Sequence, residues 1–97
     1  MRIEIYGKQG CELCKSAQKK VAHFLQQWQA ASEVSMVFMD VETEQGAAES
    51  DYFDVFQIPT VLVLKDDGHL AARWDGEAPP SQELKRVVSP ETQSAAA

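Results

Sequence analysis

The sequence predicts one α/β domain built on a four-stranded mixed sheet with helices on both faces. Three observations carry this reading. Apolar residues recur with period two in short runs and with helical period in one long run, in the order β-α-β-α-β-β-α. The chain opens with a βαβ unit, whose crossover is right-handed and whose strands are parallel. Asp66-Asp67-Gly68 then separates two apolar runs, the signal of an antiparallel hairpin.

Arg2 to Tyr6 alternates, with Ile3 and Ile5 on one face, and reads as the first strand. Gly7 to Gly10 forms a loop. A long helix is expected from Cys11 or Glu12 to about Ala30. Cys14, Ala17, Val21, Leu25 and Trp28 make its buried stripe, with Phe24 beside them. Val34 to Val41 is apolar on both faces, the pattern of a strand covered on both sides. A shorter helix is expected over about Gln45 to Val55, anchored by Tyr52, Phe53 and Phe56. Gln57-Ile58-Pro59-Thr60 breaks that pattern, and Thr60 to Leu64 is a fully apolar strand. Leu70, Ala72 and Trp74 alternate along the returning strand as far as Asp75-Gly76. Pro79-Pro80-Ser81 introduces a last helix to about Val88, which Ser89-Pro90 stops. Residues 1–89 are expected to form the domain, with 90–97 a flexible tail.

With 97 residues the chain is long enough for one compact core and too short for two. No apolar run approaches the roughly 18 residues that a membrane span needs. The N-terminus lacks the basic, apolar and small-residue pattern of a signal peptide, so a cytoplasmic protein without membrane contact is expected. A net charge of -6 argues against nucleic acid as a partner. The charge is unevenly spread. Through Ser32, Arg2, Lys8, Lys15, Lys19 and Lys20 outweigh Glu4 and Glu12. From Asp40 to Asp54 there are acids and no Lys or Arg, which reads as a solvated face or as a surface that selects basic partners.

Cys11 and Cys14, the two cysteines of the chain, are spaced C-x-x-C at the start of the long helix. A thiol there sits among unpaired backbone N–H groups at the positive end of the helix dipole, which favours the thiolate. Lys8 and Lys15 favour it further, while Glu12 opposes it. A second thiol one helical turn on is close enough to attack the first sulfur. In a reducing compartment such a pair points to redox or metal chemistry. Cys11, Cys14, His23 and His69 make a Cys₂His₂ set on paper. Their spacing does not fit a zinc finger and the histidines fall on different elements, so no metal site and no bound cofactor are expected.

The C-x-x-C after the first strand and Ile58-Pro59-Thr60 before the third resemble the thioredoxin superfamily, over about Arg2 to Val88. The half from Ile58 to Gly76 is similar to thioredoxin. The half from Arg2 to Lys15 is similar to glutaredoxins and to glutaredoxin-like electron donors. The resemblance implies a thioredoxin-like fold and a thiol–disulfide oxidoreductase with a redox-active Cys11–Cys14 disulfide. Cys11 would be the nucleophile and Cys14 the resolving thiol. Pro59 would be a cis proline beside Cys11, presenting the Ile58 backbone as a short edge for an extended peptide, with Thr60, Leu13 and Gly76 completing the site wall. Lys8 matches the lysine that glutaredoxins direct at glutathione. The chain departs from both branches. Thioredoxin's tryptophan before the first cysteine is Gly10, its Gly-Pro between the cysteines is Glu12-Leu13, and its buried strand acid falls at Ile5. The glutaredoxin Thr-Val-Pro is Gln57-Ile58-Pro59, and its later paired glycines are reduced to Gly76. The expected partners are protein disulfides and a flavoprotein thioredoxin reductase, with glutathione as the alternative donor, and the chain is expected to be a monomer. The competing readings are a glutathione-dependent glutaredoxin-like reductase and a non-catalytic module that binds a partner or a metal.

Overall fold

β1 (Arg2–Gly7) runs through the interior of a sheet whose strand order is β2-β1-β3-β4. Its neighbours are β2 (Ser35–Asp40), paired in parallel, and β3 (Thr60–Leu64), paired antiparallel, while β4 (Leu70–Asp75) closes the hairpin on the far side of β3. Three helices complete the fold: α1 (Glu12–Gln27), α2 (Glu44–Tyr52) and α3 (Ser81–Val88). The computed structural model describes residues 1–88; Ser89-Pro90 and the expected tail over 90–97 lie outside the described residues.

The main core lies on the face of β1 that carries Ile3 and Ile5. Val61 and Val63 of β3 and Trp74 of β4 join them, and Val21 and Leu25 of α1 and Leu84 of α3 pack on top. Burying such side chains contributes about 1.5–3 kcal/mol each. The Trp74 indole N–H donates to Glu83 at 3.0 Å and so ties α3 to β4. Phe24 and Trp28 stack with centroids 5.2 Å apart at the partly buried end of α1.

The opposite face of β1 carries Glu4 and Tyr6. Both are buried, with Leu62 and Thr60 of β3 beside them. Tyr6 donates its hydroxyl proton to Glu4 at 2.8 Å, and the Arg2 guanidinium pairs with the other Glu4 oxygen at 2.9 Å. Burial pushes the Tyr6 hydroxyl well above the usual tyrosine range. Its hydrogen bond to Glu4 and the negative charges of Glu4 and of Glu49 on α2 add to the shift. A carboxylate on a central strand is tolerable because both its oxygens are taken.

Several boundaries and burial expectations change. α1 ends at Gln27 rather than near Ala30, because Gln29 adopts φ 57 and Ala30 turns its N–H back to Leu25. β2 is an edge strand, and its two faces are not covered as expected: Met36 and Val37, which alternate, both remain exposed, while Phe38 and Met39 are half buried. α2 stops at Tyr52, and of its three expected aromatic anchors only Phe53 is half buried. Tyr52 is 78% and Phe56 87% exposed. α2 is seated instead by its first turn: Thr43 caps the Gly46 N–H at 3.0 Å, and Gly46 packs directly on the Asp40 carbonyl, where no side chain fits.

Candidate active site

The site lies at the carboxyl end of β1, where open α/β sheets gather their chemistry. The turn Gly7 to Gly10 is closed by the Cys11 N–H on the Lys8 carbonyl at 3.4 Å, with Gly10 at φ 79. Cys11 is the N-cap of α1. Its Sγ accepts the backbone N–H of Cys14 at 3.1 Å, in the position that a serine or aspartate oxygen takes in an ordinary cap. Glu12 occupies the first turn, where an acid suits the dipole. Cys11 and Cys14 are joined as a disulfide. Cys14 is buried and Cys11 is partly exposed, so one sulfur is offered to solvent and the other is held beneath it.

Cys14 fits against β1 because Gly7 lacks a side chain: a Cβ there would stand 2.7 Å from Cys14 Sγ and 3.1 Å from the Phe38 ring. The same end of β1 meets the start of β3. Tyr6 is in register with Thr60, so the next step of that ladder sets Pro59 opposite Gly7. The Ile58–Pro59 peptide bond is cis, Pro59 is fully buried, and Ile58 lies beyond the last paired residue. Thr60 is buried and donates its hydroxyl to the Gln57 carbonyl at 2.6 Å.

Gly76, at φ 79, donates its N–H to the Pro59 carbonyl at 2.8 Å and so lies directly beside Pro59. The Gln57 carboxamide fills the place where a Cβ on Gly76 would go. Cys11, Cys14, Pro59 and Gly76 are thus brought to one end of the sheet. Leu13 lies between the cysteines and is 68% exposed. Lys8, Glu12 and Lys15 are exposed around the disulfide.

Sequence reasoning missed Arg73. From β4 it donates to the Phe53 carbonyl at 2.7 Å and to the Asp54 carbonyl at 3.3 Å, and it forks onto Asp75 at 2.6 and 3.1 Å. The hydrogen bonds to Asp75 raise its already high pKa. Arg73 therefore holds the turn after α2, where Asp54 has φ 53, against β4. That turn leads into Gln57, Ile58 and Pro59. The local signal is an arginine two residues before an aspartate on the same strand; the carbonyls it holds are 20 and 19 residues away in sequence.

Among the described residues, no three of His, Cys, Asp and Glu stand together as a metal-ligand set. His23 and His69 are both exposed on separate elements, and His69 is engaged with Asp67 at 3.0 Å. No helix among the described residues is long and apolar enough to cross a membrane.

Residues 2–89 match the model of the Glutaredoxin-like domain (DUF836) family. The chain belongs to that family. No curated protein matches it. Its glutaredoxin-like fold has many solved counterparts among thioredoxins. Thioredoxin 1 from Thermosipho africanus superposes with a TM-score of 0.71 over 100% of both chains at 18% identity. An uncharacterized thioredoxin-like protein from Clostridium perfringens gives 0.78 over 92% of this chain and 68% of that one at 15% identity. The oxidized form of mitochondrial thioredoxin 3 from Saccharomyces cerevisiae gives 0.67 over 89% and 74% at 23% identity. The fold is thioredoxin-like, as the sequence implies, and this glutaredoxin-like chain carries a redox-capable cysteine pair on it.

Proposed function

We propose that the protein is a dithiol–disulfide oxidoreductase acting on protein disulfides. The observation that carries this reading is the Cys11–Cys14 disulfide at the start of α1, one sulfur partly exposed and accepting a helix N–H, the other buried. In the reduced protein the same N–H and the helix end favour a thiolate on Cys11. That thiolate attacks one sulfur of the partner's disulfide and expels the other, which takes up a proton from water. Cys14 loses its proton and attacks Cys11 Sγ, releasing the partner's second thiol and closing the Cys11–Cys14 bond. Two electrons pass to the partner, leaving two thiols there and one disulfide here.

The residues around the disulfide support the same reading. The Ile58 backbone, beyond the end of the ladder, offers an extended peptide a short pairing edge. Pro59 and Thr60, both buried, support that edge from beneath and do not meet the peptide themselves, Gly76 lies beside it, and Leu13 adds an apolar rim. Lys8 and Lys15 support the Cys11 thiolate electrostatically, with Glu12 opposed. The protein is proposed to act as a cytoplasmic monomer that binds no metal or organic cofactor, with a flavoprotein reductase as its electron source.

The test is reduction of insulin with dithiothreitol as the reductant. The wild type is expected to accelerate precipitation of the insulin B chain, and Cys11→Ser is expected to remove the acceleration. No acceleration by the wild type would favour a non-catalytic binding module. One observation favours a second donor: Lys8 is exposed near Cys11 in a glutaredoxin-like chain, which suits a carboxylate of glutathione.

A further inference from the structure

Phe56 is 87% exposed, although it lies only three residues before Pro59. An exposed phenylalanine on a surface segment is unremarkable when the segment is loose. Here the preceding turn is fixed from several directions. Val55 returns its N–H to Ser50 at 2.8 Å, and Arg73 takes the carbonyls of Phe53 and Asp54. On the other side, Thr60 holds the Gln57 carbonyl. The backbone on both sides of Phe56 is thus held, in the segment that leads into Pro59, and Leu13 presents a second exposed apolar side chain between the cysteines. Aromatic side chains offered in this way are the usual anchors of protein contacts.

The segment that carries Phe56 is acidic, and the cation seated against it, Arg73, is paired with Asp75. No Lys, Arg or His occurs from Asp40 to Leu64. Asp51 and Asp54 precede Phe56 and are exposed, and Glu77 follows Gly76 on the neighbouring turn, while Asp75 before it is paired with Arg73. Arg73, the basic residue closest to this turn, is spent on Asp75 and the two carbonyls. The basic residues Lys8 and Lys15 belong to the α1 side of the disulfide. Phe56 and the exposed acids thus belong to the segments on either side of Pro59 and Gly76, and Lys8 and Lys15 to the turn and helix that carry the disulfide.

We propose that Phe56 is a specificity anchor, and that the partner is an extended protein segment carrying an apolar side chain next to a Lys or Arg, close to its disulfide. The apolar side chain covers Phe56, and the cation is received by Asp54 and its acidic neighbours. This inference rests on the disulfide-exchange reading and adds to it which disulfides are chosen.

The experiment uses short peptides that hold one cysteine as a mixed disulfide with a chromogenic aromatic thiol, flanked by Leu and Lys, Leu and Glu, Ala and Lys, or Ala and Glu. The protein is reduced beforehand and freed of dithiothreitol, which would itself release the aromatic thiol. Single-turnover release against peptide concentration gives the half-saturating concentration and limiting rate, read here as KM and kcat. Attack by Cys11 on the peptide sulfur releases the coloured thiol, and Cys14 then releases the peptide. The Leu–Lys peptide is expected to have a KM about tenfold below the Ala–Glu peptide, an anchor-sized effect. Phe56→Ser is expected to abolish the Leu-over-Ala preference through KM while kcat is kept. Phe56→Leu is expected to retain the preference, and Asp54→Asn to narrow the Lys-over-Glu preference. Equal KM for all four peptides, or a Leu preference that survives in Phe56→Ser, overturns the specificity inference and leaves the exchange activity standing. Release of no thiol from any peptide by the wild type overturns the exchange reading itself.

Discussion

Gly7 and Cys14 approach so closely that a Cβ on Gly7 would stand 2.7 Å from Cys14 Sγ and 2.8 Å from Cys14 Cβ. The end of β1 and the first turn of α1 meet at a distance that only glycine allows. Gly7→Ala must displace the Cys14 side chain, Phe38 or the strand end. Overpacking of this kind costs about 1–3 kcal/mol. Urea unfolding should show a loss of that size, together with slower closure of the Cys11–Cys14 bond after reduction. Unchanged stability would mean that α1 can shift freely against β1.

The two sulfurs should separate cleanly by role, because one is partly exposed at a helix cap and the other is buried. Iodoacetamide at mildly acidic pH is expected to alkylate Cys11 first in the reduced protein, as read by peptide mass. Cys14→Ser is expected to accumulate a mixed disulfide between Cys11 and its partner, since no thiol remains to displace it. Preferential labelling of Cys14 would exchange the two roles.

Tyr6 and Glu4 make stability depend on alkaline pH. The folded-state pKa of Tyr6 is raised, first by burial and then by Glu4, so the folded chain keeps a proton that the unfolded chain loses near pH 10. The stabilisation is complete below that pH and is lost as the pH rises above it towards the folded value. Tyr6→Phe should flatten this alkaline decline. At neutral pH it should cost about 1–3 kcal/mol, because the buried Glu4 carboxylate loses its hydroxyl donor. Denaturant midpoints at neutral pH and just above pH 10 read both effects. A steep alkaline decline persisting in Tyr6→Phe would place the responsible group elsewhere.

These residues also mark what could be read in advance. The order of elements, the α1 stripe of Cys14, Ala17, Val21 and Leu25, and the position of Cys11 at the helix start were legible, because each depends on local periodicity or capping. Strand order is not local. The run Val34 to Val41 fits a covered strand or an edge equally well, and only pairing places β2 at the edge. Glu4 and Tyr6 alternate with Ile3 and Ile5 as outward residues do, but β1 is central and neither face is free. Tyr52 and Phe56 looked like anchors because aromatic residues usually are. α2 is seated by Gly46 and Thr43 instead, which left those two rings to solvent.

Arg73 illustrates the remaining gap: its pair with Asp75 is local, but the carbonyls it holds at Phe53 and Asp54 are remote in sequence. Arg73→Gln is expected to loosen the turn at Phe53 and Asp54 and to cost about 1–2 kcal/mol, the value of partly buried charge-assisted hydrogen bonds. Faster amide hydrogen exchange confined to Phe53 through Ile58 is the specific readout. A uniform change across the sheet would mean that Arg73 supports β4 rather than the turn.

The proposed preference for a protein electron donor rests on what the rim can hold. Lys8 could pair with a carboxylate of glutathione, but an exposed pair contributes only about 0–1 kcal/mol. The second carboxylate of the tripeptide would need backbone donors near Gly76. The Gly76 N–H is already given to Pro59, the Gln57 carboxamide lies over Gly76, and Asp75 and Glu77 flank it with negative charge. Glu12 adds an anion next to Cys11. A protein donor requires none of these anchors, because it can use the Ile58 edge and the apolar rim. Oxidised protein should therefore turn over slowly with glutathione and glutathione reductase, and rapidly with NADPH and a thioredoxin reductase from the same source. NADPH oxidation followed at saturating insulin compares the two. Fast turnover with glutathione and none with the flavoprotein would reverse the donor assignment and make Lys8 the residue to substitute next.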